Sequence, residues 1–448
     1  MVANPSPPRT LPLTLPAAVV AEHRVDLTAK PSEGWGFRTH DVVTNTAGET
    51  YALCAAGRYR PEAVASRDPF RLNFTYHLIT RYDPDGTPTA TALLGGPTPG
   101  NVPTGLTRGS DFGLAVLPDG TVAVSSAPGN THLFTPDLSR LVESWSTPWG
   151  WQDGESKERT GDPYALSIDV TPSGRLLCAT AEYGVKNWAG QVANLVALSE
   201  PGSALGPGSK ATLRALATHD ARTDRQTAAD RYPHVVFDGA PVGGANRPSP
   251  SLTEMLSTDD RARLDYADCF LGRPAAMGDD LFVVPVFGRT YRSGSRGQVF
   301  SFLLLDGRGV RRGELEGMHR YEDSPFTGAR YTVVGDPYRA RAFHLNRYGL
   351  YAWDAEGRMR ARIPLGDAPF KALTHFSLMG CTPAGELLLV HGKQHLLLHV
   401  PVPEDLDDLA DAVRAALKAY GPGRSALKRR YAPVAWHWQT DGAPVHRF

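Results

Sequence analysis

Cysteine is scarce in this chain: four among 448 residues, far apart and with no C-x-x-C pair. Neither a disulfide framework nor a zinc site is expected, and Cys54, Cys178 and Cys381 sit in apolar β-like runs (YALC, RLLC, LMGC). With Cys269 they read as reduced, buried thiols of a cytoplasmic protein. Net charge is missing too, because 47 Lys+Arg balance 47 Asp+Glu. A nucleic-acid binder normally carries a basic surplus or stripe, so no nucleic-acid partner is expected. The one basic cluster, Lys428-Arg429-Arg430, reads as a solvated segment. No apolar run reaches the roughly eighteen residues of a membrane span. The opening MVANPSPPRTLPLTLPAAVV has no cationic region leading into an apolar one, so it makes a poor signal peptide. Also absent are G-x-S-x-G, H-E-x-x-H, a phosphate loop, a dinucleotide fingerprint and calcium-loop spacing.

Glycine and proline are abundant instead: 45 and 37 residues, together about 18 % of the chain against a typical ~12 %. Gly supplies positive φ and Pro removes a backbone donor, so the chain is built of short elements and many turns. Long-helix bundles and coiled coils are excluded. With 41 % hydrophobic residues there is ample core material.

Those turns repeat. A β-rich run, a turn and a second β-rich run occur as HDVVTNTAGETYALCA (40–55), FGLAVLPDGTVAVSS (112–126), ALSIDVTPSGRLLCATA (165–181) and FSLMGCTPAGELLLVHG (376–392). Weaker copies lie at 272–288 and 330–346. Each is followed by a second hairpin, such as YHLITRYDPDGTPTATALLG (76–95) or YGLYAWDAEGRMRARIPLG (348–366), the last copy (395–413) being degenerate. Two strands about a D-G, S-G or A-G turn form a β-hairpin, and two hairpins form a four-stranded antiparallel unit. Turn glycines at Gly48, Gly120, Gly174, Gly278, Gly335 and Gly385 lie 72, 54, 104, 57 and 50 residues apart. Six four-stranded units at a period of about 50 residues predict an all-β fold, a six-bladed β-propeller closed as one domain over 1–403. The phrases LAVLPDGTVAVSS, YDPDGTPTATALLG and LYAWDAEGRMRARIPLG resemble blades of the broad NHL/SMP-30-like propeller group over roughly 40–402. That resemblance implies fold and little about activity.

Two regions depart from the repeat. Residues 200–268 form a polar, Gly/Pro-rich inter-blade insertion with a short helix expected at SLTEMLSTDDRARL, capped by Ser251 and Glu254. The strand-like PHVVF (233–237) makes a seventh blade the alternative. Residues 404–448 hold a helix at EDLDDLADAVRAALKAYG, stopped by Gly421-Pro422, and a tail packed on the propeller. The ring-closing strand is expected either from AAVVAEHRVDL (17–27) or from the tail APVAWHWQTDG.

Ligands of propellers sit where inter-blade loops and second-to-third-strand loops gather. The ligand-binding candidates at that mouth are Arg58, Asp111, Asn130, Asp162, Tyr183, Arg289, Arg330, Asn346 and His391. They belong to a mixed rim with excess Arg/Lys, suited to a polar or anionic small molecule. Thr39-His40 and Thr374-His375 hold comparable positions at the start of their blades. His40, Asp41 and His375 are the catalytic candidates, as base, orienting acid, and second base or metal ligand. With His391 they are also the candidate set for a divalent metal. Their registers differ, eight and ten residues before their turn glycines, so no cofactor is predicted and a metal is the minor alternative. In HGKQHLLLH, the spacing of His391, His395 and His399 would suit ligands on a helix, but the segment is β-like and core-edge histidines are expected. Trp149 and Trp151, with Trp436 and Trp438, are candidate partner contacts.

Two functions follow. The favoured one is a cytoplasmic scaffold, a protein-protein interaction subunit of a bacterial multi-protein system. The alternative is an enzyme of the propeller mouth, a lactone hydrolase or a lyase or cyclase acting on a small polar or anionic metabolite.

Overall fold

A computed structural model describes residues 8–12, 20–26, 35–59, 72–95, 113–126, 130–146, 163–183, 191–199, 213–220, 235–236, 269–271, 273–290, 297–317, 333–346, 348–391, 396–430 and 435–438. It is a six-bladed propeller. Blade I comprises Trp35–Thr44, Thr50–Tyr59, Leu72–Tyr82 and Pro88–Gly95, paired antiparallel in chain order. Blade II comprises Gly113–Val116, Val122–Ser126, Asn130–Phe134 and Leu141–Ser146. Blade III comprises Pro163–Val170, Leu176–Tyr183, Gln191–Ser199 and Leu213–Asp220. In blade IV the inner strand is split into Cys269–Leu271 and Ala275–Ala276, both paired with Phe282–Thr290, and Gly297–Leu305 and Arg311–Glu314 follow. Blade V comprises Val333–Asp336, Arg341–Leu345, Gly349–Trp353 and Met359–Pro364.

Blade VI explains the degenerate last repeat. Its first three strands are Phe376–Cys381, Glu386–His391 and Leu396–Pro401, and its fourth is Arg9–Pro12, from the other end of the chain. The ring closer is therefore neither of the two expected segments. Those pair with each other, Val20–Asp26 against Ala435–Trp438, as a separate two-stranded sheet. Proline is tolerated in Arg9–Pro12 because an edge strand leaves one row of its N–H groups outside the ladder.

The strand-like PHVVF makes no seventh blade: Val235–Val236 adds to blade III in parallel with Leu213–Asp220 as a fifth strand. The helix expected at 251–264 lies outside the described residues.

Four of the six turn glycines do what the repeat requires. Gly48, Gly120, Gly174 and Gly385 all hold φ between 82° and 87°, where a side chain is strained. Gly335 is different, since it lies within the strand Val333–Asp336, and the turn after it places Ala340 at φ 52° instead.

Shared apolar layers join neighbouring blades. Tyr51, Leu53 and Ile79 of blade I pack with Leu114, Val124 and Phe134 of blade II. Leu177 and Val196 of blade III meet Phe282 and Leu303 of blade IV, and Phe302 meets Tyr351 and Trp353 across blades IV and V. Among the described residues the largest layer unites blades V and VI with the C-terminal helix, Leu409–Arg430. Helical spacing lands Leu409, Val413, Ala416, Leu417 and Tyr420 on that layer, while Asp411, Arg414 and Lys418 face outward. Covered on both faces, the strands Glu386–His391 and Leu396–Pro401 are buried along their whole length. The helix does not stop at Gly421-Pro422 but runs on to Arg430. Pro422 removes one backbone donor, and the good helix formers of SALKRR continue the helix beyond it. Among the described residues no helix is long and apolar enough to cross a membrane.

Candidate functional site

The inner strand of every blade is an edge strand, so a row of its N–H and C=O groups has no ladder partner. The six inner strands line a cavity of about 150 Å³ along the propeller axis, which reaches the face made by the first-to-second-strand turns. Asp41, Asp169 and Arg273 are the charged side chains in its lining.

The two carboxylates meet the unpaired N–H groups. Asp41 Oδ1 accepts from the N–H of Val42 at 3.0 Å, and Oδ2 accepts from Leu114 N–H of blade II at 3.0 Å. Asp169 repeats the arrangement one junction pair further on: Oδ1 accepts from Val170 N–H at 2.8 Å and Oδ2 from Ala276 N–H of blade IV at 3.0 Å. Each carboxylate thus ties its own blade to the next.

Asp41 also pairs with Arg273 at 3.2 Å, both side chains largely buried. Asp41 belongs to blade I and Arg273 to blade IV, which stand opposite one another in a ring of six. The pair is a strut across the channel. Irregularities in the ladder accompany both ends. The register of blade I shifts between Thr39 and Asp41, around His40. Pro274, which has no N–H, follows Arg273 at the break in the inner strand of blade IV. A bulge re-aims side chains where a regular strand would alternate them.

Asp169 has no ion pair among the described residues. Burial is the main reason its carboxyl is pushed up to about 6; its two backbone donors oppose the rise, Asp41 adds to it, and Arg273 opposes it at longer range.

A second polar cluster lies in blade VI. Fully buried His399 meets Glu386 through Nδ1 at 3.0 Å, and the Arg9 guanidinium reaches the same oxygen at 3.1 Å. Arg9 also donates to the carbonyl of Pro84 in blade I at 3.0 Å. The closing strand is thereby fastened both to its own blade and to the next. Burial works to raise Glu386, but His399 and Arg9 outweigh it and hold the carboxyl below its ordinary range. Burial pushes His399 down despite its bond to Glu386.

The expected site residues fall into three groups. His40 is buried beside Asp41 in the inner strand of blade I. His375, exposed at the end of a short 3-10 turn (Phe370–His375), has its ring centroid 5.8 Å from that of His391. His391 is itself wedged among Phe376 and Tyr420 of the helix layer. Asn346 shapes its own loop, its side-chain oxygen accepting from Tyr348 N–H and Gly349 N–H. Among the described residues no three His, Cys, Asp or Glu side chains are grouped as a metal would require. Arg58, Asn130, Tyr183, Arg289, Trp436 and Trp438 lie in strands whose side chains are not described there. Asp111, Asp162, Arg330, Trp149, Trp151 and His395 lie outside the described residues. Asp169 and Arg273 were not foreseen. The available signals were a lone acid in the apolar run LSIDV and an arginine directly before proline in GRPAAM.

No protein-family model matches this chain, and no curated protein matches it in sequence. Solved structures similar to it include a gluconolactonase from Xanthomonas campestris, at 12 % identity and a TM-score of 0.36, covering 90 % of this chain and 97 % of that one. The WD40 repeats of RRP9 align at 8 % identity and a TM-score of 0.36, over 86 % and 98 % of the two chains. The Pan2 WD40 domain of Neurospora crassa aligns at 9 % identity and a TM-score of 0.34, over 86 % and 96 %. Likenesses this weak carry no activity across. The six four-stranded blades themselves bear out, at the level of fold, the propeller that the sequence resemblance implies.

Proposed function

We propose that this protein is a cytoplasmic propeller scaffold, a protein-protein interaction subunit of a multi-protein system. One observation carries the reading. Asp41, the orienting acid that the enzymatic alternative needs, has both oxygens engaged by Val42, Leu114 and Arg273, and it braces the ring across its axis. A side chain so held is a structural member. The contact of His375 with His391, at the edge of the helix layer, gives that residue a packing role as well. A braced ring is a rigid frame on which the insertion at 200–268 and the Trp149/Trp151 and Trp436/Trp438 pairs would present partner contacts.

The test is size-exclusion of native extract followed by cross-linking of the full chain. The scaffold reading expects a complex larger than the 48.4 kDa chain, lost when 200–262 is deleted and weakened by Trp149→Ala/Trp151→Ala. A chain that elutes alone overturns it. The enzymatic reading draws support from Asp169, whose carboxyl near 6 in a cavity is tuned as general acid-base groups are. It expects turnover of a small lactone that His40→Ala abolishes.

A further inference from the structure

We infer that the axial cavity binds a small organic cation, an alkylammonium, whose charge is taken by Asp169 and whose hydrocarbon part lies against the apolar walls of the channel. The argument begins with charge. Asp41 and Arg273 neutralise one another at 3.2 Å. That leaves Asp169 as the one charged side chain of the lining without an ion-pair partner among the described residues. Its two hydrogen bonds come from neutral backbone N–H groups, one to each oxygen, so both oxygens keep acceptor capacity toward the cavity. A carboxylate enclosed by protein is ordinarily paired or protonated, because desolvation of an uncompensated charge is costly. The cavity adjoins it, and the one positive charge of the lining, Arg273, is engaged by Asp41.

Geometry narrows the occupant. Most of the remaining lining residues are apolar in type, Val43 and Met379 among them, interleaved with the polar backbone edges of the inner strands. Apolar walls suit a cation with a hydrocarbon part better than a hydrated inorganic ion. At the open end, beside the cavity, Tyr338 is 48 % exposed, and an aromatic face favours a passing ammonium group. The polar or anionic ligand expected from the sequence concerned the opposite, inter-blade mouth, so the two sites are distinct. This inference holds whether or not the chain is a scaffold.

The experiment is calorimetric titration of the full chain with n-butylammonium chloride, n-butanol and potassium chloride, at pH 7.5 and pH 5. Saturable binding of butylammonium is expected, with butanol and potassium silent. Asp169→Asn, which keeps an acceptor for one of the two neighbouring N–H groups, should weaken binding about tenfold or more, equivalent to the loss of ~1.4 kcal/mol. Asp85→Asn, at an exposed turn, should leave it unchanged. In the wild type, binding should weaken between pH 7.5 and pH 5 as Asp169 takes up a proton in the presence of Asp41 and Arg273. This measurement serves even if the Asp169 variant does not fold. No saturable binding, equal binding of butanol or potassium, undiminished binding by Asp169→Asn, or indifference to pH each overturns the inference.

Discussion

Neighbouring blades are joined at the axis in two different ways. Between blades I and II and between III and IV, a carboxylate reaches across to an unpaired N–H. Between blades IV and V and between VI and I, a glycine lets backbones approach directly. A Cβ built on Gly335 would lie 1.8 Å from the carbonyl oxygen of Ala276, and one on Gly380 would lie 3.2 Å from that of Val42. Ala276 takes part in both kinds of junction, its N–H bonded to Asp169 and its carbonyl facing Gly335. The difference teaches how a ring of unequal blades closes. Where inner strands are apart, a side chain fills the gap and satisfies the edge. Where they touch, the side chain is deleted.

The comparison can be broken most severely at Gly335. Gly335→Ala sets a methyl against main chain that has no rotamer to yield, and should cost about 3 kcal/mol or more in urea unfolding. Asp41→Ala comes next. It strips acceptors from Val42 and Leu114 and leaves Arg273 without its buried partner, for a loss of about 2–3 kcal/mol. Asp41→Asn keeps an acceptor for one of the two N–H groups and should recover only that part of the loss. Gly380→Ala, with its neighbour at 3.2 Å, should cost only about 1 kcal/mol in the same assay. A pH dependence, spread over about two pH units, comes last. With Asp169 raised from 3.8 to about 6 in the fold, the unfolded chain gives up this proton first, so stability falls as pH climbs from about 4 to 6. Asp169→Asn lacks that titration. Melting curves of the two proteins should therefore diverge in favour of the variant across this window and run parallel above it.

The blades were legible because their information is local. Period-two runs, D-G and S-G turns and their roughly 50-residue recurrence all lie within one hairpin or two. The helix was legible in its spacing but not its end, since Pro422 removes one bond without ending the helix. The closing strand was not legible: RTLP lies in a proline-rich stretch, and only its partner Leu396–Pro401 gives it an extended form. The axial site shows the same division. Asp41 drew notice by adjoining His40, whereas Asp169 and Arg273 are single charges in apolar surroundings. Their meeting depends on the order of blades around a ring, a relation between segments more than a hundred residues apart.

The fastening of Arg9 to Glu386 spans 377 positions of sequence. On a ribosome, which delivers the amino end first, the strand Arg9–Pro12 emerges long before the blade that receives it. Five blades can assemble in order as they leave the tunnel, but the sixth must wait for a partner made at the outset. During that interval the nascent chain carries an unmated strand and an open ring with two uncovered apolar sheet faces, the state most exposed to chaperones or to another nascent copy. The time to translate the intervening chain, rather than any single contact, sets how long that exposure lasts.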